Sequence, residues 1–213
     1  VRALPVCEDV NGLLGFDPSG AGAKVKPFDD RGNVLTRWDR ETDTLVPEWL
    51  DPVRPKTIPT AFCQDLEGRL WVGFYHGMLL RLRLRPDGPP EVTTVKGAPE
   101  SFVRALSCDE EGRVWAGFTR GGLARIEDPG AETPVVSVMS TPQGLSSETV
   151  SCFLHDAEGG TWIGTGRGVD RLDDATRRID HFGVAEGLPN SFVHVAGRDA
   201  EGRPWFGTLR GLS

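Results

Sequence analysis

No apolar run in the 213 residues approaches the roughly 20 that cross a bilayer as a helix. The first residues show no signal-peptide pattern, and an initiator methionine is missing, so the chain reads as an excised or processed piece of something longer. Basic charge is in deficit. Against 31 Asp and Glu stand 24 Lys and Arg, a formal net charge of -7. That balance argues against a nucleic-acid-binding surface, which makes a domain basic. Cys-x-x-Cys pairs are absent, which removes the zinc frameworks built on them. The four cysteines, Cys7, Cys63, Cys108 and Cys152, each precede an Asp and read as small apolar side chains buried in strands. A disulfide needs Cα atoms within about 7 Å, which spacing does not decide. There is no Gly-x-Ser-x-Gly elbow, no His-Glu-x-x-His helix and no phosphate-cradling glycine loop. No catalytic residue, metal ligand or cofactor is therefore assigned.

What is abundant is turn chemistry. The chain holds 27 glycines and 16 prolines, as expected where short strands alternate with tight turns. The glycines fall into a pattern, Asp-x-x-Gly-x-x-Trp-x-Gly, present four times. Its copies are Asp65, Gly68, Trp71, Gly73; Asp109, Gly112, Trp115, Gly117; Asp156, Gly159, Trp162, Gly164; and Asp199, Gly202, Trp205, Gly207. Successive tryptophans stand 44, 47 and 43 residues apart. A period of that length suits one four-stranded propeller blade and exceeds a leucine-rich repeat. The fold class expected is all-β, a β-propeller of four-stranded antiparallel blades.

One unit shows the grammar. Ser101–Cys108 alternates as an inner strand, and Asp109-Glu110-Glu111-Gly112 is a turn in which the Asp accepts backbone amides and the Gly turns left-handed. Val114–Phe118 is a second strand, with Trp115 filling the space between blades and Gly117 admitting a close backbone. After a turn at Thr119–Gly122 come strands at Leu123–Ile126 and Pro134–Met139. The same order divides the chain into a degenerate first blade at 1–57, blades at 58–98, 99–144 and 145–187, and a blade cut short at 188–213. In the degenerate copy Val1-Arg2-Ala3-Leu4 matches Val103-Arg104-Ala105-Leu106, Asp9–Gly12 is the turn and Gly20–Ala23 an inserted loop. Its Leu35–Asp39 matches Val169–Asp173. An unclosed ring would leave strand edges bare, so self-association, including a homodimer, is an expectation.

These units resemble the two-component regulator propeller repeat family, whose units run Gly-Leu-Pro…Asp-x-x-Gly-x-Leu-Trp-Ile-Gly-Thr-x-x-Gly-Leu. The best copies are Gly159–Val169 and Trp205–Leu212, and two crossings read Gly144-Leu145-Ser146 and Gly187-Leu188-Pro189. The resemblance is good over residues 58–213 and loose over the first 57. It implies an extracytoplasmic, periplasmic sensor domain, commonly followed by a small β-sandwich, a membrane span and a histidine kinase or other output. Membrane attachment would then lie in other parts of the parent chain. The family's propellers close with more blades than are encoded here, which fits a fragment.

Five residues after each repeat tryptophan stand His76, Arg120, Arg167 and Arg210, each before a turn glycine. In a propeller these hairpins share a face with the starts of the innermost strands, where loops on a rigid scaffold gather ligands. The four would make a basic arc on an acidic protein, suited to an anionic small molecule or oligosaccharide. Solvated hairpin side chains are the plainer alternative. A second set, Arg2, Arg104 and His194, follows the first Val of strand one and alternates toward the channel, with Ser151 at that place in the fourth unit. Tyr75 is the one tyrosine and stands beside His76. The repeat aspartates, one per blade on the opposite face, are too dispersed to converge on a metal.

The function expected is a ligand-binding sensor propeller. A protein-interaction scaffold is the alternative. A lyase or hydrolase is the third reading, since virginiamycin B lyase is similar at the level of the repeat. Sialidase Asp boxes resemble Ala157–Trp162 faintly, but Glu158 stands where the Asp belongs.

Overall fold

The computed structural model describes residues 28–29, 32–39, 43–49, 57–85, 90–156 and 159–213. Arg2, Cys7, the Asp9–Gly12 turn and the Gly20–Ala23 loop lie outside them. The described residues form antiparallel sheets and nothing longer than a single 3-10 turn in the way of helix. The first sheet holds β1 (Phe28–Asp29), β2 (Gly32–Asp39) and β3 (Thr44–Trp49). The second holds β4 (Pro59–Gln64), β5 (Leu70–Phe74), β6 (Leu79–Arg83) and β7 (Glu91–Val95). The third holds β8 (Val103–Cys108), β9 (Val114–Phe118), β10 (Leu123–Ile126) and β11 (Val136–Met139). The fourth holds β12 (Val150–His155), β13 (Gly160–Thr165), β14 (Gly168–Asp173) and β15 (Ile179–Phe182). The fifth holds β16 (Val193–Arg198), β17 (Pro204–Thr208) and β18 (Gly211–Leu212).

Each sheet pairs its strands in chain order, and the first strands β4, β8, β12 and β16 pack against one another in succession. Four-stranded meanders arranged by their innermost strands are the blades of a β-propeller. The second and third strands of the third unit run Val114–Phe118 and Leu123–Ile126, as read from the sequence. Its first and fourth strands start two residues later than expected, at Val103 and Val136. In the first sheet Leu35 pairs with Glu48 and Asp39 with Thr44, as Val169 pairs with Phe182 in the fourth.

The core lies in the seams. Trp115 is fully buried among Leu123, Leu145, Val150, Ile163 and Leu172, which come from the third and fourth units together. Trp71 is equally buried with Val103, Val114 and Phe118 of the unit after it. Burying one such ring is worth about 4–6 kcal/mol of transfer free energy as an upper bound. The repeat glycine explains how the seam closes. A Cβ on Gly117 would lie 2.8 Å from Val150 Cγ1 and 3.0 Å from the Val150 carbonyl. A Cβ on Gly73 would lie 2.3 Å from Val103 Cγ1. Only glycine lets the next innermost strand come this close.

The repeat aspartate does more than make a turn. Asp109 accepts from the Arg113 amide at 2.8 Å, from Arg113 Nε at 2.6 Å and from Trp115 Nε1 at 2.7 Å. Asp65 holds Arg69 and Trp71 in the same way, and Asp199 holds Arg203 and Trp205. The aspartate thus fixes the turn and orients the ring that fills the seam. In the fourth unit Gly160 stands at the arginine's place, and Arg171 reaches Asp156 from β14 instead. A Cβ at Gly160 would lie 2.9 Å from Arg171 Nη2, so the missing side chain makes the room.

A second arginine, opposite the tryptophan on the third strand, ties one unit to the next. Arg81 donates to the Pro129 and Ala131 carbonyls at 2.6 Å. Arg125 pairs with Asp174 at 2.9 Å, and Arg113 completes that bridge. Asp174 belongs to the fourth unit and both arginines to the third. Beside them Ser107 and His155 share a 2.7 Å hydrogen bond between Oγ and Nε2, and His155 Nδ1 meets Thr161 Oγ1 at 3.1 Å. Burial pushes the His155 imidazole below its ordinary value. A cleft of about 580 Å³ at the next seam is lined by Asp156, Trp162, Arg171, Asp180, Arg198 and Pro204, among others. At the two seams before it, the Pro129–Ala131 turn and Asp174 occupy the corresponding place.

Candidate functional site

Among the described residues, the innermost strands β4, β8, β12 and β16 carry the same irregularity. The register slips between Pro59 and Ala61, Val103 and Ala105, Val150 and Cys152, and Val193 and Val195. A bulge re-aims the extra residue and leaves it outside the ladder. The extra residues are Thr60, Arg104, Ser151 and His194, one per unit, at the rim of the propeller axis. Two of them, Arg104 and His194, belong to the set read from the sequence as channel-facing, and Ser151 holds that place in the fourth unit; Arg2 is outside the described residues.

The four bulge residues differ in how they are satisfied. Thr60 Oγ1 donates into the backbone, with the Val103 carbonyl at 2.7 Å and the Gly73 carbonyl at 3.2 Å. Ser151 Oγ and His194 Nε2 are buried and have no hydrogen-bond partner among the described residues. Arg104 is partly buried and has no carboxylate partner among them. Its guanidinium carbon lies 5.9 Å from the Phe102 ring centre and 5.7 Å from that of Phe192. Phe102 belongs to the third unit and Phe192 to the fifth, so Arg104 reaches across the axis.

The rings extend this contact into a strip. Phe192 lies 4.7 Å from the His194 ring, and Phe102 lies 5.3 Å from Tyr75. Tyr75 in turn meets His76 edge-on at 5.1 Å. His76, Tyr75, Arg104 and His194 are therefore joined through Phe102 and Phe192, two residues that the sequence reading did not single out. Their signal was present as Ser-Phe-Val at 101–103 and again at 191–193. Backbone bonds hold the hairpins and strand starts on one face: Tyr75 N to Ile58 O at 3.0 Å, Thr119 N to Phe102 O at 3.0 Å and Gly166 N to Thr149 O at 3.1 Å.

The three hairpin arginines are placed differently. Arg120, Arg167 and Arg210 sit exposed in the turns β9–β10, β13–β14 and β17–β18. Their amides are anchored, Arg120 to Ser101 Oγ, Arg167 to Thr165 Oγ1 and Arg210 to Thr208 Oγ1. Their guanidinium groups have no ion-pair partner among the described residues, and no contact joins them to one another. They share a position without forming a contact cluster.

The thiols are quiet. Cys63, Cys108 and Cys152 are free. Burial pushes Cys152 up to about 12, with the Gly164 backbone and Arg104 pulling the other way. Cys108 is pushed up to about 11, again by burial first. Thiols held so far above neutral pH are poor nucleophiles. Among the described residues no group of three or more His, Cys, Asp or Glu side chains is arranged to hold a metal ion.

Comparison with known proteins agrees with this architecture. A family model, the two component regulator propeller, matches residues 144–167. No curated protein sequence matches the chain. Among solved structures, the chain is similar to the extracellular domain of a protein from B. thetaiotaomicron described as a hybrid two component system. That match has a TM-score of 0.64 at 18% identity over 84% of this chain and 27% of the other. PorZ, a surface component of the type-IX secretion system of Porphyromonas gingivalis, gives 0.67 at 18% identity over 87% of this chain and 30% of PorZ. A streptogramin B lyase gives 0.62 at 14% identity, over 85% of this chain and 61% of the lyase. The chain thus spans under a third of the first two, and likeness at these identities speaks for the fold alone. By its repeats and its sheets the chain is a β-propeller, and over residues 144–167 it is similar to the two component regulator propeller family.

Proposed function

We propose that this chain is the ligand-recognising propeller of an extracytoplasmic sensor, with an anionic small molecule or oligosaccharide seated on the hairpin face over the axis. The observation that carries the reading is the strip His76–Tyr75–Phe102–Arg104–Phe192–His194, which crosses three units and ends at His194, whose buried Nε2 has no hydrogen-bond partner among the described residues. Aromatic faces suit a sugar ring, and unpaired cations suit a carboxylate or sulfate. Neighbours described as the extracellular domains of a hybrid two component system and of a one component system support the location and the sensing role. The lyase likeness is one of fold, and the enzyme reading takes nothing further from it. A scaffold role would draw on exposed apolar residues such as Tyr75, Val184 and Leu209.

A thermal-shift titration tests the proposal. Uronic-acid and sulfated oligosaccharides should raise the unfolding temperature of the chain in a dose-dependent way, and neutral sugars of equal length should not. Equal response to neutral and anionic sugars, or none from a folded chain, would contradict it.

A further inference from the structure

The bulge ring separates the face into two kinds of positive charge. Arg120, Arg167 and Arg210 are exposed, where water and salt screen them. Arg104 is flanked by two phenyl rings, one of which, Phe192, also lies against His194, and the innermost strands that carry Arg104, Ser151 and His194 pack in succession. Buried polar atoms are almost always hydrogen-bonded, and an exception asks for a missing partner. Here two exceptions, Ser151 Oγ and His194 Nε2, occupy equivalent positions in adjacent units, on strands that pack directly against each other. Thr60, at the same position two units earlier, bonds to backbone and needs nothing.

The chemistry of the set is one-sided. Arginine offers only donors, in a planar fork that fits a carboxylate, while serine and a neutral imidazole each donate at one atom. No bulge residue is acidic. The two phenyl rings exclude water from the guanidinium flanks, which strengthens a charged contact made along its free edge. We propose that Arg104, Ser151 and His194 form an axial subsite that takes a single carboxylate of the ligand, while the hairpin arginines lie outside it. This rests on the reading of the hairpin face as ligand-recognising. The subsite fits a uronate and equally the free carboxylate of an amino-acid derivative.

The test is a carbon–proton NMR titration of the histidine ring signals of the chain, with that of His194 assigned by its loss in His194→Gln. The probes are glucuronate, N-acetylglycine and glucose. The expected result is a saturable shift of the His194 signal with glucuronate or N-acetylglycine and none with glucose; which carboxylate binds tighter identifies the source. Arg104→Gln should weaken that binding about ten- to a hundredfold, the loss of a charge-assisted hydrogen bond. Arg104→Lys should fall between, because it keeps charge and loses the fork. Arg120→Gln with Arg167→Gln should leave it within about twofold, as expected for screened surface charge. Unchanged melting temperatures show that the variants fold. If neither carboxylate moves the His194 signal, or if Arg104→Gln and Arg104→Lys bind as the parent does, the subsite is wrong. If binding survives in Arg104→Gln and is lost in the hairpin variant, the subsite falls while the sensor reading stands. If no probe or oligosaccharide binds anywhere, both fall.

Discussion

At the scale of the residue, the repeat is a set of local bargains between polar groups and space. Asp109 is legible as a turn former, and its bond to the turn amides is what an Asp at that place does. Its bond to Trp115 Nε1 is a tertiary consequence that spacing alone does not announce. His155 shows the same gap. Its sequence position marks it only as a strand residue, yet it is half-buried between units and hydrogen-bonded to Ser107 and Thr161. Burial lowers its proton affinity in the folded chain, with Arg113 adding to the effect and Asp109, Asp174 and Glu111 opposing it. The unfolded chain therefore takes up this proton first as pH falls through about 6.5. Its contribution to stability is complete above that value and declines below it, until the folded imidazole also titrates. Urea denaturation should show stability falling between about pH 7 and pH 5, and His155→Gln should flatten that part of the profile. Parallel profiles for the two proteins would remove His155 from the explanation.

At the scale of the element, the seam between units depends on a glycine in the second strand and a valine in the next innermost strand. The Trp-x-Gly spacing makes the close approach readable from sequence, and the contact of Gly117 with Val150 realises it. Gly117→Ala should destabilise the chain by about 1–3 kcal/mol, the usual cost of overpacking a tight site. Val150→Ala alone should also destabilise, by loss of buried methyls. Together they should cost clearly less than the sum, because the smaller side chain removes the 2.8 Å contact with Cγ1. Additive losses would mean that the two positions do not share a contact. The innermost strands hold what could not be read. A bulge needs one extra residue opposite one partner, and the alternation of Val103, Arg104 and Ala105 looks regular without the partner strand. The slip at Arg104 becomes visible only when β8 is laid against β9.

At the scale of the whole molecule, stability is carried by repeated unit-to-unit seams, each with a tryptophan and a glycine–valine approach. The two seams joining the second, third and fourth units also have an arginine reaching into the following unit. The tryptophans and glycines were plain from their period. The arginines Arg81 and Arg125 were not, since their partners, the Pro129–Ala131 turn and Asp174, lie some fifty residues away. The candidate site divides in the same way. His76, Arg120, Arg167 and Arg210 could be found by counting from each tryptophan, and they do occupy equivalent turns. The linkage of Tyr75 to His194 through Phe102 and Phe192 crosses units, and crossing distances have no sequence signature.

Amide hydrogen–deuterium exchange with and without a saturating uronic-acid oligosaccharide tests the central claim most directly, because it reports which face the ligand covers. Binding on the hairpin face predicts slowed exchange at Tyr75–Gly77, Phe102–Ala105 and Phe192–Val195, with the Asp65–Arg69 and Asp109–Arg113 turns unchanged. Protection confined to those aspartate turns, or no change under conditions where the ligand is bound, would contradict it.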